Sequence, residues 1–191
     1  MRFSELYPLE ETDEDDWFDT FLPADSNLCV DPFLIYEDDG SRWSTAHYRV
    51  LEFFAMVFEL VQQAKENKES VSWRQAERLL LFPEPAEFCL GVAEGSSQGA
   101  GSGRGLQVDM LDGITTAVRF GITNISHMEM LALFQGGMGL DRMSDAVCDI
   151  LKSYFVSYTQ DVCNRHNIPM QTFLVRNASW SSEFAAGRTV E

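Results

Sequence analysis

Apolar residues at 147, 150, 151, 154, 155, 158 and 162 keep the i, i+3, i+4 rhythm of a helix through DRMSDAVCDILKSYFVSYTQDVCNRHNI (141–168). This spacing predicts the clearest element of the chain, an amphipathic helix ending at Asn167 ahead of Pro169. Upstream, STAHYRVLEFFAMVFELVQQAKENKE (44–69) opens on two cap residues, Ser44 and Thr45, and carries apolar side chains on nearly every face from Val50 to Val61. A helix apolar all round is buried all round, so this one is expected in the middle of the core. SWRQAERLLLF (72–82) has a capping-box pattern, Ser72 with Gln75, and stops at the prolines of FPEP. LQVDMLDGITTAVRFGI (106–122) and SHMEMLALF (126–134) complete the helices, the latter with Ser126 and Glu129 as a second capping box before Gly136-Gly137.

Three stretches lack helical spacing and predict strands. NLCVDPFLIYED (27–38) is β-branched and aromatic and closes on turn residues, with Pro32 bending it. FCLGVAE (88–94) runs into a glycine-rich loop, and MQTFLVRN (170–177) alternates near the end. The expected fold class is therefore α+β, mostly helical with a small sheet, its helices packed around a central apolar helix (44–65). No internal repeat emerges. The last residues, GRTVE, carry no turn or cap chemistry, as a strand cut short would look in a fragment of a longer protein.

Composition confirms a folded chain and narrows its partners. The 191 residues are 45% hydrophobic and 23% charged, a globular profile with enough length for a real core. Thirty acids against 14 bases give a formal net charge of −16, which repels polyanions. Nucleic acid would have to be met through a metal or a basic partner. LEETDEDDWFD (9–19) concentrates seven of the acids, so residues 1–26 read as an acidic N-terminal arm and 27–191 as a single globular domain with a Gly-rich loop at 94–105. The arm is either solvated or an acidic peptide that docks on a basic partner through Trp17, Phe18 and Phe21. Cys29, Cys89, Cys148 and Cys163 are scattered, without a CxxC pair, and read as small buried hydrophobes of a reduced, cytoplasmic protein. No leader pattern and no membrane-length apolar run is present, so no membrane is expected.

The loop EGSSQGAGSGRG (94–105) stands between a strand candidate and a helix, the layout of phosphate-binding loops. Backbone N–H groups at Gly101, Gly103 and Gly105 with the Arg104 guanidinium are its phosphate-binding candidates. Neither GxGxxG nor GxxxxGK[ST] is matched, and a flexible linker, a lid or a tight structural crossing are the bland alternatives. Asp141, Asp145 and Asp149 recur every four residues, one acidic stripe near a helix N-terminus. Asp141 and Asp145, with Asp31, could hold Mg²⁺ through hard oxygen ligands and act catalytically. In the plain reading Asp141 or Ser144 caps the helix and Asp149 faces water. Glu52, on the central helix, is a general-base candidate unless it reaches the surface or pairs with Arg49, Arg119 or Arg142. His47, His127 and His166 stand near helix ends without HxxxH spacing; His127 becomes an acid or base only beside an Asp.

The run GMGLDRMSDAVCDILKSYFVSYTQDVCNRHNIP, with LCVDPFLI and GVAEGSSQGAGSGRGL upstream, resembles segments of poorly characterised bacterial proteins found among mobile-element or phage-defence genes. The resemblance spans the chain from about residue 27 and implies a cytosolic bacterial protein of a multi-component, antiviral system, with no residue assignment. Two functions follow. In one the chain is a non-catalytic acidic subunit that works by protein–protein binding or self-association, needing no cofactor; Met128, Met130, Met138 and Met143 suit a repacking surface. In the alternative it is a Mg-dependent phosphodiester- or nucleotide-processing enzyme built on the carboxylates and the glycine loop.

Overall fold

Helix α3 (Ala46–Ala64) occupies the centre, as its apolar circumference requires. Its buried residues recur as Ala46, Val50, Phe53, Phe54, Val57, Phe58, Val61 and Ala64, a stripe wide enough to meet neighbours on two sides. The computed structural model describes residues 1–7, 9, 17–22, 24–37, 43–83, 85–91, 102–127, 130 and 140–175. Among them, in chain order, lie α1 (Phe3–Leu6), α2 (Pro32–Glu37), α3, α4 (Val71–Leu79), a 3₁₀ turn (Ala86–Phe88), α5 (Ser102–Arg119), α6 (Leu140–Ile150) and α7 (Lys152–Arg165). Helices α2, α4, α5 and α6 all pack on α3.

The expected small sheet is absent among the described residues, which corrects the α+β reading to an all-helical one. The reason is local. Asp31-Pro32 does not bend a strand; it starts a helix. Asp31 Oδ1 accepts the Phe33 backbone N–H at 2.9 Å, and Pro32 at the first helical position spends no needed donor there. The half of the strand before it survives as one parallel bridge, Ser26 with Leu90. There Ser26 N donates to Cys89 O at 2.7 Å and Gly91 N to Ser26 O at 3.0 Å. The positive φ of Cys89 (52°) and Gly91 (153°) stops the pairing after that. Of the third strand expected, residues 170–175 form no regular element and 176–177 lie outside the described residues.

Helix ends follow cap chemistry, though not always at the expected residue. Ser70, not Ser72, caps α4, its Oγ accepting Trp73 N at 3.1 Å. Gly121 (φ 81°) and Asn167 (φ 53°) take the left-handed position that closes α5 and α7. In each the next residue's N–H turns back, Ile122 to Ala117 O at 3.0 Å and Ile168 to Cys163 O at 2.8 Å. The long helix expected over 141–168 is two helices. The backbone leaves α geometry at Leu151 (φ −99°, ψ 14°), which carries the Lys152 side chain into the interior. No Gly or Pro marks the break in sequence. The helix expected at 126–134 lies mostly outside the described residues.

The arm's described ends fold on each other. Phe3 N donates to Thr20 O and Leu22 N to Met1 O. Ser4 donates to Asp19 through its backbone N and its hydroxyl at 2.9 and 2.8 Å. Burial alone would raise the Asp19 carboxyl, but these bonds and the Arg2 charge outweigh it and hold it below its ordinary value. Trp17 packs edge-on against Phe3 and against His166 at the end of α7.

Candidate functional site

One edge of the molecule, where α2 lies over the start of α3 and over α6, gathers most of the chemistry the sequence offered. Helix α2 turns Pro32 and Ile35 inward and leaves Phe33, Leu34 and Tyr36 at 48%, 66% and 41% exposure. On one flank Val30, Asp31, Leu34, Ile35, Trp43 and Phe155 line an open groove of about 260 Å³. Its floor is aromatic: Trp43 stacks near-parallel on Tyr154 and tilts against Phe155 and Tyr158. Thr45 Oγ1 and the Tyr154 hydroxyl, 3.1 Å apart, tie the start of α3 to α7 beside it.

On the other flank two of the three histidines converge. Tyr36 meets His47 edge-on at 4.5 Å and His127 at 4.3 Å, the two imidazole centroids standing 6.2 Å apart. His127 Nδ1 is buried without a hydrogen-bond partner. The cleft they share with Pro32, Ile35, Val50 and Val147 encloses about 10 Å³, room for a single water. It is a packing junction between α2, α3 and residue 127, too tight for a substrate.

The carboxylates sit along the edge between α2 and α6. Cys29 Sγ lies 3.9 Å from Asp141 Oδ1, and the next residue, Val30, donates its N–H to the buried Ser144 Oγ at 2.8 Å. A Cβ built on Gly91 would stand 3.9 Å from both Asp141 Oδ1 and Asp25 Oδ2, so these two carboxylates converge on one point. Two thiols feel this field. Cys29 is pushed up by burial and then by Asp141 and Asp145, and Cys89 by burial and then by Asp25. Cys148, deeper, rises to about 12, chiefly by burial. All four cysteines are free, three buried and Cys29 half-buried. Thiols held protonated in this way are poor nucleophiles.

The structure separates the sequence candidates. Asp141 is exposed, Asp145 half-buried, and Asp31 spends one oxygen capping α2. Among the described residues no group of three or more His, Cys, Asp or Glu side chains is arranged to hold a metal ion. Glu52 reaches the surface and pairs with Arg49 at 3.4 Å, one of the exits open to it from sequence. Gly101 lies outside the described residues. Gly103, Arg104 and Gly105 form the first turn of α5, and the glycines there do different jobs. A Cβ on Gly103 would stand 2.7 Å from the Phe82 carbonyl oxygen, a tight crossing that only glycine permits. At Gly105 the nearest atom is Arg142 Nη2 at 4.0 Å. Arg142 itself is taken by Asp109 at 2.8 Å.

Asp149, expected in water, is instead buried. Lys152, 3% exposed, holds Nζ 3.0 Å from Asp149 Oδ1 and 3.1 Å from Glu87 Oε1, bridging the α6–α7 break to the 3₁₀ turn. Neither Asp149 oxygen takes a well-directed hydrogen bond. Burial pushes the Asp149 carboxyl up to about 6; Lys152 opposes this and Glu87 adds to it. Burial would lower Lys152, but its two carboxylate neighbours outweigh that and raise it. The two directions agree once the charges are counted, since the lysine has two anions and Asp149 has one cation and one like-charged neighbour.

Sequence reasoning missed Trp43, Tyr36 and Phe155 as a cluster because it treated 27–38 as a strand. The Asp-Pro pair was the signal available. Among the described residues no helix is long and apolar enough to cross a membrane. No curated protein and no solved structure matches the chain. A family model does match it, over residues 8–188, and on that span the chain belongs to the family described as Domain of unknown function DUF8370.

Proposed function

We propose that this chain is a non-catalytic acidic subunit that works by binding another protein at the α2 edge. The observation that carries the reading is the open apolar groove beside α2, whose helix presents Phe33, Leu34 and Tyr36 outward while only Pro32 and Ile35 seat it. A helix of six residues contributes little to folding by itself, so apolar side chains facing solvent on it suit recognition. The binding role also agrees with the multi-component bacterial setting, antiviral in character, that the resemblance over 136–169 implies. The metal-enzyme alternative gains support only from Asp25 and Asp141 meeting near Gly91.

A site-specific photo-crosslinker at Leu34, compared with one at Phe120 (79% exposed at the end of α5), tests this in the source cells. A discrete protein adduct at 34 and not at 120 is the expected result. Equal, diffuse labelling from both positions would sink the binding reading.

A further inference from the structure

We infer that the groove beside α2 takes a basic segment bearing one apolar anchor, the anchor lying on Trp43 and Phe155 and the cations facing Asp31 and the carboxylates behind Cys29. This rests on the binding reading above and names the partner's chemistry. Three observations carry it.

First, the groove is the wrong size for a cofactor and the right kind of surface for a side chain. Its 260 Å³ falls below the roughly 300 Å³ at which small-molecule pockets begin, and it is open along one side. An aromatic floor with an aliphatic wall of Val30, Leu34 and Ile35 is the usual seat of an apolar interface anchor.

Second, the rim is acidic without a local counter-charge in sequence. Between Arg2 and Arg42 the chain holds no Lys, Arg or His, while Asp25, Asp31 and Glu37 lie within the described part of that stretch. Asp141 and Asp145 approach from α6, close enough to hold the Cys29 thiol up after burial has done most of the work. The nearest cations across the edge are committed, Arg142 to Asp109 and Lys152 to Asp149 and Glu87. A partner that brings cations to this rim is drawn in by the field and oriented by it.

Third, the same charge weighs against the two obvious competitors. A second copy would bring its own −16 to the edge, and like charges placed together across an interface are costly. A polyanion is repelled for the same reason.

The test uses the full chain and fluorescent synthetic peptides with a single Leu, Phe or Trp flanked by Lys and Arg. Controls carry the same anchors flanked by Glu or by Ser, or the cations without an anchor. Anisotropy is read on the wild type, on Leu34→Asp, and on Asp31→Asn, which keeps an N-cap oxygen while removing the charge. Expected is binding of the cationic anchored peptides alone, at least about tenfold weaker on Leu34→Asp and about two- to threefold weaker on Asp31→Asn. That binding should also weaken several-fold between about 50 and about 300 mM salt. Anchored peptides that bind regardless of flanking charge would overturn the basic-partner inference and leave the groove reading standing. Absence of any anchored binding, or binding indifferent to Leu34→Asp, would overturn both. A dimer in sedimentation velocity that Leu34→Asp dissolves would assign the groove to a second copy and overturn the inference as well.

Discussion

Helix α3 is held by two different kinds of chemistry on its two sides. Toward α4 and α5 the contacts are dry: Phe54, Val57 and Phe58 have no exposed surface, and Met110, Ile114 and Ala117 of α5 meet them with none of their own. Toward α2, α6 and the 3₁₀ turn the fold is fastened by polar links, Val30 N to Ser144 Oγ, Ser26 with Cys89 and Gly91, and Lys152 with Asp149 and Glu87. Apolar burial is non-directional and scales with area, whereas each polar link depends on one geometry and, for the ion pairs, on protonation. The body should therefore fail by volume and the edge by charge.

The largest effect belongs to the body. Phe54→Ala empties a site with no exposure, beside the edge-on ring of Phe53, and is expected to cost about 3–5 kcal/mol. Urea unfolding should give this loss equally at pH 5 and pH 8, because no titrating group faces the cavity's apolar lining. A loss that changes strongly with pH would mean the two sides are not chemically distinct.

The edge supplies the converse. Asp149 has its carboxyl raised from 3.8 to about 6, so the folded state keeps a proton that the unfolded chain releases. The stability due to this group is complete below about pH 4 and is lost as pH rises through 6. Asp149→Asn imitates the protonated acid. It should match the wild type near pH 4 and exceed it above pH 7, by at most about 3 kcal/mol at 1.36 kcal/mol per unit. Parallel urea midpoints for the two proteins across pH 4–8 check it; a constant difference would show that Asp149 is ionised throughout.

These two sides differ also in how far the sequence disclosed them. The body was legible, because a full circumference of apolar residues on α3 has one physical solution and the spacing at 106, 110, 114 and 117 on α5 has another. The edge was not. β-Branched and aromatic residues at 28–36 suit a strand and a half-exposed helix alike, and Asp31-Pro32 decides between them only when read as cap and first turn. Asp149 lies in register with two outward aspartates, so period alone placed it in water. What buries it is a bend at Leu151 and an anion on Glu87, which is 62 residues away in the chain, and neither leaves a local mark. The candidate site was read in pieces, with Asp31, Asp141, Asp145 and His127 named singly, while the pairing of α2 with α6 that assembles them is a tertiary fact.

A smaller effect sharpens the comparison within one helical turn. Gly103 and Gly105 look alike in sequence, yet an added methyl meets the Phe82 carbonyl oxygen at 2.7 Å in one case and open space to 4.0 Å in the other. Gly103→Ala must displace backbone and is expected to cost about 1–2 kcal/mol, the clash exceeding the helix-propensity gain. Gly105→Ala keeps the gain and should stabilise by about 0.5–1 kcal/mol. Thermal melts of the pair decide it. If both destabilise, the first turn of α5 is held for something other than its packing against Phe82.

The smallest effect is the most informative about α2. Leu34 is two-thirds exposed, and it stands third in its helix, where a carboxylate faces the positive end of the helix dipole. Leu34→Asp gives up a little apolar contact along the groove and gains that interaction, with Asp31 nearby as a mild opponent. The unfolding free energy should move by less than about 0.5 kcal/mol, as for a surface position. A leucine that can become an aspartate without cost to the fold is not there for the fold. A loss above about 2 kcal/mol would reverse the argument, since it would make the outer face of α2 part of the core and remove the reason to look for anything that covers it.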